Sequence, residues 1–225
     1  LTYAQLNEEA EKFAAYMLSK GVGSNDLVAI CMDRTYHLMI SVMAVMKACA
    51  AYVPIGLENP DERISFMLAD SEAALILADG MSEDRLRNVD EVEQGKIEVV
   101  NDQFLDNLAD FAGSPLQVNS NVGGNNYFFL SIDINRLHFA FYGNFSFDAS
   151  GITFLTPLVN GGTCHVFGGD RTQQELVKEI FENDEINAIK VTPSHLKLLI
   201  DTNFTPSKTK KMVISGGEAL SVKDV

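Results

Sequence analysis

Short, unbroken apolar runs alternate with segments of helical periodicity along this chain, and no other feature restricts its fold as much. Residues 27–32 (Leu-Val-Ala-Ile-Cys-Met), 51–55 and 73–77 are such runs. A strand with one wet face alternates apolar and polar side chains, whereas a continuous apolar run implies cover on both faces. Ahead of the first run, residues 2–20 carry Leu6, Ala10, Phe13, Ala14, Met17 and Leu18 at helical spacing. Thr2 and Gln5 suit a capping box there, and Gly21 suits the C-terminal stop. Asp33 is placed to cap a helix over 36–48, and Pro60 fits the first turn of another that ends near residue 70. Met39, Met43 and Met46 form a stripe on the second helix that reads as core packing.

The second half repeats the rhythm: strand 138–142, helix 150–159, strand 163–167, helix 172–183, strand 188–192, helix 194–201, strand 212–215. Strand–helix–strand units of this length imply parallel strands joined by helical crossovers. The expected fold class is therefore α/β, with parallel sheets in two lobes. Residues 1–100 form the first lobe, 101–137 a boundary, and 138–225 the second lobe. The stretch 80–126 is acidic and polar, and its tail, 112–126, reads as a loop or lobe boundary. No sequence repeat relates the halves.

Composition excludes several classes of partner. Seventeen basic against 31 acidic residues leave a formal charge of −14. Nucleic acid and anionic membranes call for clustered Lys and Arg, so neither is expected as a partner. No apolar run approaches the roughly 20 residues that span a bilayer, and no signal-peptide pattern opens the chain. Cys31, Cys49 and Cys164 are an odd number, widely spaced, each in an apolar run. They read as buried free thiols of a protein in a reducing cytoplasm. The chain opens on Leu1 with a helix pattern already under way, which reads as a piece of something longer.

Three places carry chemistry. In Asn144-Phe145-Ser146-Phe147-Asp148-Ala149-Ser150, a lone carboxylate flanked by Phe145 and Phe147 ends a strand and precedes a helix. Asp148 is either an N-cap or a carboxylate kept for a ligand's ammonium, since a buried charge is costly unless paired. Gly216-Gly217-Glu218-Ala219 follows the strand 212–215. It is either a tight turn with Glu218 in a first helical turn, or a bare backbone edge for a flat ring. Lys190, within Ala188-Ile189-Lys190-Val191-Thr192, either snorkels from a strand end or aims an ammonium into a pocket. In the pocket it would favour a ligand offering oxygen. His195 is near this region, where a histidine at a helix start is usually structural. His37, His138 and His165 have no metal-ligand spacing, and no metal site is expected.

Several segments recur here in a recognisable order. They are Leu1-Thr2-Tyr3-Ala4-Gln5-Leu6, Lys47-Ala48-Cys49-Ala50-Ala51-Tyr52-Val53-Pro54-Ile55, the Asp148 segment, Val191-Thr192-Pro193-Ser194 and Ser215-Gly216-Gly217-Glu218-Ala219-Leu220. Over residues 1–80 and 138–225 the chain resembles the adenylation domains of nonribosomal peptide synthetases, within the adenylate-forming superfamily. The resemblance implies activation of an amino acid by ATP with Mg2+, then transfer of the aminoacyl group to the phosphopantetheine thiol of a carrier domain. Peptidyl carrier and condensation domains are the implied partners. By resemblance, Asp148 holds the substrate α-ammonium, and Ala149, Ile152, Lys190, Ile214 and Gly216 line the amino-acid pocket. Gly216, Gly217, Glu218 and Ala219 become part of the nucleotide wall. Lys190 then implies aspartate, glutamate or asparagine as substrate.

The pattern breaks in one place. The family's Ser/Thr- and Gly-rich phosphate loop ending in lysine should precede Asp148, but the interval 125–137 (Asn-Asn-Tyr-Phe-Phe-Leu-Ser-Ile-Asp-Ile-Asn-Arg-Leu) contains no such run. The family's ribose-gripping Asp and catalytic lysine lie beyond the segments matched here. The resemblance therefore assigns no catalytic residue, and the chain alone is expected to form adenylates at no useful rate. Two other readings stay open: a fragment of an acyl- or aryl-acid ligase, which Asp148 disfavours, and a non-catalytic remnant with a binding or scaffold role.

Overall fold

A computed structural model describes residues 1–89, 92–114, 137–147, 150–169, 171–200, 204–209 and 211–218. The chain divides into two compact units, Leu1–Gly123 and Gly124–Val225. Each contains a four-stranded, wholly parallel sheet.

In the first unit, α1 (Tyr3–Ser19), β1 (Leu27–Cys31), α2 (Tyr36–Lys47), β2 (Ala51–Pro54), α3 (Asp61–Ser71), β3 (Leu75–Ala78), α4 (Gly80–Arg87), β4 (Ile97–Val99) and α5 (Asp102–Asp106) follow in turn. The strand order is β2-β1-β3-β4. The continuous apolar runs are explained by cover on both faces. One face of β1 and β3 (Ala29, Cys31, Ile76, Ala78) packs with Ile64 and Leu68 of α3 and Leu86 of α4. The other face (Val28, Ile30, Leu75, Leu77) is also buried. The Thr2–Gln5 capping box forms as read. Three local readings need correction. Thr35, not Asp33, holds the N-cap position of α2, and the Asp33 carboxylate instead accepts from the Arg34 N–H. Pro60 precedes α3 as its N-cap residue. Met39 is buried, but Met46 is 47% exposed, because α2 turns that end of the stripe outward.

The acidic stretch after residue 79 holds elements that the apolar pattern does not signal. Asp79 caps α4 through the Ser82 N–H at 2.8 Å, and Asn101 caps α5 through the Phe104 N–H at 2.8 Å. Phe104 lies edge-on to Phe13 and Tyr16 of α1, with centroids 5.1 and 5.5 Å away. These caps supply the first-turn N–H groups with acceptors that a hydrophobic pattern cannot reveal.

The second unit runs β5 (His138–Phe141), α6 (Ser150–Val159), β6 (Thr163–Val166), α7 (Gln173–Glu182), β7 (Ala188–Val191), α8 (Pro193–Ile200) and β8 (Met212–Ser215), in strand order β6-β5-β7-β8. Its topology matches that of the first unit although the sequences do not. The chain winds outward from β5 to β6, then reverses to β7. Right-handed crossovers put the two windings on opposite faces. Phe139 and Ala188 accordingly pack with Ile152 of α6, while Ala140, Tyr142, Ile189 and Val191 pack with Leu176, Val177 and Ile180 of α7 and Leu199 of α8.

α7 opens with a capping box: the Glu175 N–H donates to Thr172 Oγ1 at 3.3 Å, and the Thr172 N–H donates to Glu175 Oε2 at 2.8 Å. Thr172→Ala should cost about 1 kcal/mol in a urea unfolding experiment followed by circular dichroism. An unchanged midpoint would show that the box does not stabilise α7.

Candidate functional site

Where a parallel sheet reverses its winding, two adjacent crossovers leave on opposite faces and open a crevice at the carboxyl ends of the strands. In the second unit this point lies between β5 and β7. The register Lys190↔Ile214 puts these two residues side by side on β7 and β8. Side chains alternate along a strand, so Lys190 and Ile214 share the face of Phe139 and Ala188, the face that Ile152 of α6 covers. Gly216 follows two residues after Ile214. A Cβ at Gly216 would lie 3.9 Å from Lys190 Nζ, so the ammonium lies over the glycine. None of the ion pairs among the described residues involves Lys190.

Three residues read from the sequence as pocket-lining, Lys190, Ile214 and Gly216, thus lie together toward the carboxyl ends of β7 and β8, and a fourth, Ile152 of α6, packs on the same face. Asp148, Ala149 and Ala219 lie outside the described residues, as does the 125–136 interval. Of the two aromatic neighbours of Asp148, Phe145 is buried against Phe154 (centroids 6.1 Å apart), whereas Phe147 is 66% exposed.

The glycine turn is held from behind. Gly217 has φ +92°, which a side chain rarely adopts, and the Gly216 N–H donates to Val191 O at 3.2 Å. The Glu218 carboxylate accepts from the Ser194 N–H at 3.1 Å and from the Ser194 hydroxyl at 2.5 Å. The Ser194 hydroxyl is the main influence holding that carboxyl below its usual range. On the opposite face, the Tyr142 hydroxyl donates to Lys190 O at 2.7 Å and lies 3.2 Å from His195 Nδ1. Tyr142 and Ser194 escaped the sequence reading as site residues. Strand parity would have put Tyr142 on the far face, and Ser194 stands in a segment already noted.

Burial pushes the His195 imidazole below its ordinary range; Glu218 opposes the shift and Lys190 adds to it. His165, 3.2 Å from His138, is lowered in the same way, by burial first and His138 second. The sign of the pH effect follows. Below the ordinary imidazole value of 6.5 the unfolded chain binds these protons while the folded chain resists them, so stability is complete above 6.5 and falls as pH drops through it. The urea midpoint should be lower at pH 5.5 than at pH 7.5, and replacing both histidines with glutamine should shrink that gap. A midpoint that rises on acidification would contradict the assignment.

The cysteines are free, but only Cys31 is fully buried; Cys49 and Cys164 are partly so. Burial pushes the Cys31 and Cys164 thiols up to about 12, which keeps both protonated and unreactive at neutral pH. Among the described residues, no group of three or more His, Cys, Asp or Glu side chains could hold a metal ion. No described helix is long and apolar enough to cross a membrane.

Comparison with known proteins agrees with the topology. A mycosubtilin synthase polypeptide of Bacillus subtilis is 32% identical over 243 residues, covering 99% of this chain and 9% of that protein. Bacitracin synthase 3 of Bacillus licheniformis is 30% identical over 246 residues, covering 99% of this chain and 4% of that protein. The chain thus spans less than a tenth of the length of either relative. Among solved structures, the four-domain nonribosomal peptide synthetase holo-AB3403, bound to AMP and glycine, superposes with a TM-score of 0.73 at 22% identity, over 100% of this chain and 18% of that one. The N-terminal domain of FACL13 from Mycobacterium tuberculosis gives 0.80 at 17% identity, over 100% of this chain and 64% of that one. At these identities the structures speak to the fold alone. The family described as AMP-binding enzyme matches residues 1–125, more than half of the chain. This chain belongs to the AMP-binding enzyme family.

Proposed function

We propose that this chain carries the amino-acid pocket of an ATP-dependent ligase that activates an amino acid for nonribosomal peptide synthesis. The observation that carries the reading is Lys190 lying over Gly216 on the face that also bears Ile214 and Ile152, at the end of a parallel sheet. Similarity to the mycosubtilin and bacitracin synthases over 99% of the chain supports it.

In this reading a substrate carboxylate oxygen attacks the α-phosphorus of ATP. The bond to the β-phosphate bridge breaks, pyrophosphate leaves, and an aminoacyl adenylate forms. A phosphopantetheine thiolate on a carrier domain then attacks the acyl carbon and AMP departs. The chain's own residues bind and orient. Asp148 pairs with the α-ammonium, Lys190 with a side-chain oxygen, and the Gly216–Gly217 backbone lies along the adenine. Fixing the carboxylate against the phosphate this way converts a bimolecular encounter into a positioned one. Magnesium, when bound with the triphosphate, neutralises its charge; no described residue is assigned to it. The substrate class is an amino acid with an oxygen-bearing side chain: aspartate, glutamate or asparagine.

The test is amino-acid-dependent exchange of labelled pyrophosphate into ATP by the protein that carries this sequence. Exchange that depends on an amino acid is expected. Exchange supported equally by carboxylic acids lacking an α-amino group would favour an acyl- or aryl-acid ligase instead.

A further inference from the structure

We infer that Glu218 is a positioning residue that braces the glycine turn against the start of α8, and not a ligand of the nucleotide. The inference rests on the reading of this edge as the pocket. One carboxylate oxygen of Glu218 receives two hydrogen bonds from Ser194, one from the backbone N–H and one from the hydroxyl. These residues are 24 positions apart and meet because β7 and β8 are neighbours in the sheet. The same oxygen cannot freely serve a ligand. A carboxylate turned toward a triphosphate would also meet like charge, which a pocket for a polyanion avoids.

The brace belongs to a connected set of bonds. Thr192 Oγ1 accepts from the His195 N–H at 3.3 Å, and His195 Nδ1 lies 3.2 Å from the Tyr142 hydroxyl that donates to Lys190 O. A Cβ at Gly217 would lie 3.8 Å from Thr192 Cγ2, so the turn rests on the end of β7. Glu218 therefore ties the Gly216–Gly217 edge to the segment that follows Lys190. With that tie cut, the glycine edge and the ammonium above it lose their fixed separation, and ligand affinity falls although no ligand contact is removed.

Two readouts test this on the chain itself. The first is hydrogen exchange at the Ser194 amide without ligand, which should quicken in Glu218→Ala and stay slow in Glu218→Gln, whose amide oxygen still accepts both bonds. The second is calorimetric affinity for a non-hydrolysable aminoacyl-sulfamoyl adenosine. Glu218→Ala and Ser194→Ala should each weaken it about tenfold, the double variant no more than the weaker single one, and Glu218→Gln should rescue it. Glu218→Gln as weak as Glu218→Ala, with Ser194 exchange unchanged, would overturn the brace and restore Glu218 as a ligand. If the analogue fails to bind the unaltered chain, the functional reading fails, while the exchange readout still decides the brace.

Discussion

Gly162→Ala is expected to cost the second unit about 3 kcal/mol or more, the largest stability loss foreseen for a single methyl group in this chain. Gly162 sits at the entry to β6, where the Thr163 N–H donates to Leu137 O at 2.6 Å. A Cβ there would lie 2.1 Å from Leu137 O and 3.0 Å from Leu137 C and N. All three are backbone atoms, and they lead into β5, which is held between β6 and β7. Relief requires moving a central strand or losing a bond of the ladder. Gly161 is the internal control: its φ is +67° but a Cβ there meets nothing within 4 Å. Gly161→Ala should cost only about 1 kcal/mol, the backbone penalty alone. Urea denaturation of both variants checks the contrast. Equal midpoints would mean that the strand end yields easily.

The largest functional effect is expected at Asp148. If its carboxylate holds the α-ammonium, Asp148→Ala removes a charge-assisted contact of about 1.5–3 kcal/mol and leaves the ammonium unpaired. In the protein that carries this sequence, amino-acid-dependent exchange should fall by about ten- to a hundredfold for every amino acid. Analogues lacking the α-amino group should lose nothing, because they never made the contact. A variant that still discriminates between an amino acid and its deamino analogue would return Asp148 to the role of a helix cap.

Much of this was legible in the sequence, for identifiable reasons. Residues 27–31 and 139–141 are strand segments with continuous apolar character, and 188–191 is apolar but for Lys190, so the limits of these strands are visible. β4 is a three-residue edge strand containing Glu98, and α4 buries only Ser82 and Leu86, so neither has a hydrophobic signature. The signal for α4 was its cap Asp79, and that for α5 its cap Asn101. In the site, Lys190, Ile214 and Gly216 could be put on one face by counting in twos, once β7 and β8 were taken as neighbours. The Glu218–Ser194 bond could not be found that way. It depends on how the turn after β8 meets the start of α8 rather than on any period, and Glu218 looked equally suited to a helix start. The exposure of Phe147 was missed because an aromatic residue beside an apolar helix reads as core.

The central claim is that Lys190 selects the substrate, and it can be measured on the chain as it stands. Calorimetric titration with aspartyl-, asparaginyl- and leucyl-sulfamoyl adenosine compares ligands that differ only in the side chain facing the ammonium. The aspartyl or asparaginyl compound should bind at least about tenfold more tightly than the leucyl one, the share of a single charge-assisted hydrogen bond. Lys190→Ala should erase that preference while leaving leucyl affinity nearly intact. Tighter binding of the leucyl compound, unaffected by Lys190→Ala, would show that the lysine serves the strand end and not the pocket.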